Sequence, residues 1–164
     1  MFSPQEVSSD LDAAIGRLGA AGADIEEQRR ALQVTSLCLR VLRGYRNATV
    51  AGYPAKADQA AGGQAVEAIF GLRGKPVYDL VVDVGSRSQL HYPREDLLRG
   101  DEVVPGSYLI WRQPADVVPP LLPAHFVPPK AFGFYVSRLA GRMVLPTLQN
   151  ARDFLVSSVT LGSL

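Results

Sequence analysis

The sequence predicts an α+β domain in which an N-terminal helical hairpin precedes a mainly antiparallel β-sheet, with a Pro-rich extended arm leaving that sheet. Three observations carry this expectation. Two capped, amphipathic helical patterns fill residues 1–46, "KPVYDLVVDVG" at 75–85 is dense in valine, and "PADVVPPLLPAHFVPPK" at 114–130 interleaves six prolines with apolar pairs. The expected organisation is a hairpin at 1–46, an Ala/Gly-rich connector with a short helix at 47–76, and a β-rich part at 77–164 that contains the arm, all sharing one core. At 164 residues the chain is long enough to bury roughly 70% of its unfolded surface without staples.

The first helix starts at Ser3-Pro4-Gln5-Glu6, where Ser3 serves as N-cap, Pro4 occupies the first helical position and Glu6 closes a capping box. Val7, Leu11, Ile15 and Leu18 then share one face, and "GAAG" at 19–22 stops the helix. Asp24 and Glu27 open a second helix that runs to about Arg43, with Gly44 just past its end and Arg40 and Arg43 complementing its C-terminal dipole. Its apolar residues, Leu37, Cys38, Leu39, Val41 and Leu42 among them, occupy more than one stripe, which predicts burial on several sides. The two helices form an antiparallel hairpin.

Residues 47–63 show no period, and a short helix is expected near Gln64 to Phe70. Val77, Tyr78, Leu80, Val81, Val82 and Val84 are strand formers ended by Gly85. "YPREDLLRG" (92–100) predicts one or two helical turns, and "SYLIWR" (107–112) a second strand after the Pro105-Gly106 turn. "FGFYVSR" (132–138) and "GRMVL" (141–145) predict a hairpin around Gly141. In the tail, Val156, Val159 and Thr160 favour strand, whereas Leu148, Ala151, Leu155 and Ser158 would share a helical face; the β-branched residues tip the reading to strand. No internal repeat is present.

Composition narrows the function. Hydrophobic residues make up 47% and charged residues 20%, a globular balance, and a net charge of +1 steers the chain toward neither nucleic acid nor anionic lipid. A lone cysteine, Cys38, excludes an intrachain disulfide and a multi-cysteine zinc site, and its place in an apolar run predicts a buried thiol. No run approaches the ~18 apolar residues that span a bilayer, and "MFSPQEVSSD" lacks the features of a signal peptide, so a cytoplasmic setting is expected.

Catalytic patterns fare no better. His91 and His125 lack a second ligand at helical or turn spacing. "GLRGKP" (71–76) lacks the first glycine of a phosphate-binding loop and has Pro76 where a magnesium-binding hydroxyl belongs. Asp79 and Asp83, four apart on a strand, lie about 13 Å from one another, too far to share a proton. Arg29, Gln33, Ser36, Arg40 and Arg43 share a helical stripe suited to phosphate, but acids adjoin it and no aromatic residues interleave, which reads as a solvated face. No cofactor is expected.

One enzyme pattern can be traced. "LRGY" (42–45), "GSRSQ" (85–89) and "GDEVVPGSYL" (100–109) resemble, in order, the arginine, serine and glutamate segments of ADP-ribosyltransferase toxins. The resemblance implies that Arg43 holds a nicotinamide dinucleotide, Ser86 supports the pocket and Glu102 orients the attacked ribose. Arg43 falls at a predicted helix end instead of on a strand, and the last segment lacks the Glu-x-Glu form, so this supplies the alternative function, a small transferase toxin.

The main expectation rests on the Pro-rich stretch. As polyproline it would extend roughly 50 Å, against a domain about 40 Å across. Val117, Val118, Leu121, Leu122, Phe126 and Val127 would each yield about 1.5–3 kcal/mol if buried on a neighbouring chain; the competing arrangement is a strap over the chain's own core. The expected function is therefore a non-enzymatic structural or connector subunit, of which a bacteriophage virion or tail component is the most specific form. Its expected partners are copies of itself or neighbouring assembly proteins, with neither membrane nor nucleic acid. A cytoplasmic adaptor or immunity-type module is the other non-enzymatic possibility.

Overall fold

The computed structural model describes residues 3–22, 24–72, 76–83 and 109–160. Helix α1 (Pro4–Ala20) begins with a closed capping box: the Ser3 hydroxyl accepts from the Glu6 amide at 3.2 Å, and the Glu6 carboxylate accepts from the Ser3 amide at 2.7 Å. Its buried face, Val7, Leu11, Ala14, Ile15 and Leu18, packs along α2 (Ile25–Thr49). Asp24 caps α2 by accepting from the Glu27 amide at 3.1 Å.

Helix α2 does not end at Arg43. It continues through Gly44 to Thr49, although an exposed glycine inside a helix costs about 1 kcal/mol relative to alanine. Arg46 supplies a reason. Its side chain is 2% exposed, and it donates to the carbonyls of Leu155 and Val156 at 2.7 and 3.4 Å, which requires the last turns of α2 to be helical. Arg46 follows the Arg40–Arg43 end of the basic stripe in sequence, yet it belongs to the core.

The Ala/Gly-rich stretch folds into α3 (Tyr53–Gln59) and α4 (Ala61–Gly71). Small residues here allow close packing. A Cβ on Gly62 would strike the Asn150 carbonyl, and one on Gly71 would strike the Ala131 methyl.

Among its described residues the expected β-rich half is mostly helical. Among the described residues the sheet consists of β1 (Val81–Asp83) and β2 (Leu109–Trp111), antiparallel with Val82 opposite Ile110, plus one isolated bridge from Ile110 to Met143. Val77–Leu80, read as strand, is a 3₁₀ turn, so Asp79 and Asp83 do not share one strand face. The expected hairpin at 132–145 is instead α6 (Pro129–Phe134), a π-helical turn (Tyr135–Leu139) and the start of α7 (Val144–Thr160). Burial explains the outcome. Ala131, Tyr135 and Leu139 are buried at four-residue spacing, and so are Val144, Leu148, Ala151 and Leu155 at helical spacing in α7. That apolar stripe outweighs the β-branching of Val156, Val159 and Thr160.

Nor does the Pro-rich stretch form an extended arm. Pro114 opens a short helix, α5 (Pro114–Val117), the Val117 carbonyl accepts from the amides of Leu121 and Leu122 at 3.0 and 2.9 Å, a 3₁₀ turn follows at Ala124–Phe126, and Pro129 opens α6. Proline fixes φ near the helical value and is well suited to first helical positions, so these prolines turn the chain where polyproline would have extended it. One core joins the described elements. Trp111 is fully buried against α7, its indole N–H donating to the Thr147 hydroxyl at 2.6 Å while that hydroxyl donates to the Val144 carbonyl at 2.7 Å.

Candidate functional site

A cavity of about 520 Å³ opens between α2, α3, α4 and the α6 segment, within the size range of small-molecule and anchor-residue sites. Its polar side is built from three elements. Arg43 of α2 donates through Nε and Nη2 to the two carboxylate oxygens of Glu67 in α4, at 2.8 and 2.7 Å, and the Tyr53 hydroxyl of α3 lies 3.5 Å from Glu67 Oε1. The fork geometry fixes both side chains. Hydrogen bonding to Glu67 holds the Arg43 guanidinium protonated above its usual range, and burial, reinforced by the Glu67 charge, pushes the Tyr53 phenol well above its own. Across the cavity Lys130 pairs with Asp58.

The remaining walls are aromatic and proline. Phe70, Phe126 and Phe134 line them together with Pro54 and Pro128. Arg43 and Lys130 each lie 5.9 Å from a ring centre, those of Phe70 and Phe134, so the site's own cations already sit by two of the rings. Phe126 is 71% exposed at the rim, with the His125 ring 4.2 Å away. Because each of these ions is paired within the wall, the site offers an incoming group apolar faces and a net-neutral polar floor. Gly71 contributes by absence: without a side chain, α4 sits directly against Ala131 and brings Phe70 toward the α6 wall.

The six apolar residues of the Pro-rich stretch divide sharply. Val117 and Leu122 are core residues; Val118, Leu121 and Val127 are partly buried against that core; Phe126 alone of the six points outward. The stretch is thus a strap over its own chain that presents one aromatic side chain at the cavity.

Of the residues that the transferase resemblance implies, Arg43 is bonded to Glu67, while Ser86 and Glu102 lie outside the described residues, as does His91. Cys38 is buried, and burial pushes its thiol up. Among the described residues no three His, Cys, Asp or Glu side chains are grouped to hold a metal, and no helix is long and apolar enough to cross a membrane. Sequence reasoning missed Glu67, Tyr53 and the Asp58–Lys130 pair. A signal for one was present: Glu67 is the only charged residue of the apolar helix "AGGQAVEAIFG". No protein-family model, curated protein or solved structure matches this chain.

Proposed function

We propose that the chain is a non-enzymatic subunit of a larger protein assembly, and that the α2–α3–α4–α6 cavity receives an apolar anchor side chain from a neighbouring protein. The observation that carries this reading is the pairing of charges in the cavity wall: Arg43 with Glu67 and Lys130 with Asp58, leaving the three phenylalanines and two prolines to meet the occupant. A leucine or aromatic residue buries its whole side chain there for about 1.5–3 kcal/mol without uncovering a charge. Phe126 supports the reading because it stands 71% exposed at the rim of that concave site, where it would close against an inserted apolar side chain.

A displayed random-peptide library selected against the purified chain tests it. The expected selection converges on peptides with one large apolar anchor, and those peptides lose binding to Phe126→Ser. Selection of peptides indifferent to Phe126→Ser, or of none, would sink the proposal. So would transfer from labelled nicotinamide dinucleotide that disappears in Arg43→Ala.

A further inference from the structure

Helix α2 carries a second apolar face that the described part of the chain leaves about half open. Leu37, Val41 and Tyr45 are 54%, 52% and 41% exposed. At four-residue spacing they form one row along the helix, with half-buried Val34 beside it. The spread of apolar residues at this end of the helix predicts burial on several sides; the described residues fully bury the opposite side, through Leu32, Leu39 and Leu42.

From Arg30 onward the charged residues of α2 are all cationic, while Glu26, one turn earlier on the same side, is paired with Arg29. Arg30 lies seven residues before Leu37, on the same side of the helix, and Arg40 lies three after it, on the flank, 5.7 Å from the Phe70 ring. Both are exposed, and neither forms an ion pair with the described residues, whereas neighbouring Arg29 and Arg43 hold Glu26 and Glu67. Beyond the flank, a groove of about 310 Å³ separates α2 from the 3₁₀ turn, edged by Gln33, Ser36 and Tyr78. We infer that this face of α2 docks an acidic amphipathic helix of a partner protein, its apolar row against Leu37, Val41 and Tyr45 and its carboxylates at Arg30 and Arg40.

Charge also argues against a second copy as the occupant. Antiparallel pairing about a two-fold axis near the middle of the row sets the two Arg40 side chains on the same flank beside the axis. Parallel pairing in register sets Arg30 against Arg30. An acidic partner removes both conflicts, and it supplies the opposite charge that the two arginines lack. Gly44, with open space where a Cβ would stand, lets the partner's backbone approach the C-terminal half of the row.

The inference concerns a different face from the cavity, so the two fail separately. The test uses the full chain and synthetic amphipathic helices of about three heptads with leucine on one face. One carries glutamate on the flank, one carries lysine there, and one has its leucines replaced by serine. Fluorescence anisotropy is expected to show binding of the glutamate helix alone, weakening with salt. Leu37→Ser with Val41→Ser should reduce that binding by roughly tenfold or more, while Phe126→Ser leaves it unchanged. Arg40→Glu should move the preference toward the lysine helix. Equal binding of the glutamate and lysine helices overturns the inference, as does binding that survives Leu37→Ser with Val41→Ser. Concentration-dependent dimerisation abolished by that double variant assigns the face to a second copy and also overturns it. A drop in the melting temperature of that variant means that the chain itself covers the row, with the same consequence.

Discussion

Leu122→Ala and Phe126→Ser, four residues apart in the same strap, should affect different properties of the protein. Leu122 is 4% exposed and closes the core over α5, so truncation removes buried apolar volume and leaves a cavity at a cost of about 2–5 kcal/mol. For a domain of this length each kcal/mol corresponds to roughly 2–4 °C in Tm, which puts the fall at about 4–20 °C. Phe126 is 71% exposed, so its removal forfeits less than a third of the burial available to it, and stability should stay within about 0.5 kcal/mol of the parent. Association should show the reverse pattern. Differential scanning calorimetry and sedimentation of each variant, with and without a selected anchor peptide, separate the two. Leu122→Ala should melt early yet bind the peptide when folded; Phe126→Ser should melt normally and fail to bind. If Leu122→Ala leaves Tm unchanged, or Phe126→Ser lowers it as far, the strap does not divide between core and rim as the structure places it.

Arg46→Met should cost about 1.5–3 kcal/mol, because the Leu155 and Val156 carbonyls lose a charged donor, and a lowered denaturant midpoint would show it. Cys38 should react slowly with a thiol reagent in native buffer and rapidly in denaturant; fast native labelling would contradict its burial. Tyr53 keeps its proton in the folded chain well above its ordinary value of 10.0, so the stability that it contributes is complete below that pH and is lost as pH rises beyond it. Tyr53→Phe should therefore flatten the alkaline fall in stability, measured by denaturant titration at successive pH values.

What could be read from the sequence followed local signals that tertiary packing did not contest. The Ser3–Glu6 box and the Asp24 cap satisfy amide groups within a single turn, so they are visible in a four-residue window. The C-terminal half could not be read this way. In α7 the strand propensity of the valines competed with a helical stripe of Val144, Leu148, Ala151 and Leu155, and only the presence of Trp111 and α4 as packing partners decides between them. The Ala/Gly-rich region hid two helices for a related reason. Its apolar face is made of small residues such as Ala57, Gly62, Ala65 and Ala68, whose value lies in close approach to other helices and not in a periodic display of large side chains. The candidate cavity needs Arg43, Asp58, Glu67 and Lys130 together, and no window spans them.

Helix α2 ties these features into one mechanical argument. A docking surface gains affinity when little order has to be created on binding, and Gly44, five residues before the end of α2, has the lowest helix propensity in that helix. Two arginines flank that weak point. Arg43 is held by Glu67 of α4, and Arg46 by the carbonyls of α7, so the helix is fastened on two sides within four residues. The Arg43 fastening faces away from the Leu37–Val41–Tyr45 row, whereas the Arg46 guanidinium lies 6.0 Å from the Tyr45 ring centre and so steadies the C-terminal end of that row. The Arg43 fastening is at the same time the floor of the cavity, so loosening it should disturb both faces. Glu67→Gln, which keeps the shape but removes the charge, should cost about 1 kcal/mol for a pair this exposed. It should also raise backbone amide exchange around Gly44 and weaken both the anchor peptide and the glutamate helix. If Glu67→Gln affects the anchor peptide alone and exchange around Gly44 is unchanged, α2 is held by Arg46 without help from the cavity, and the two surfaces are mechanically independent.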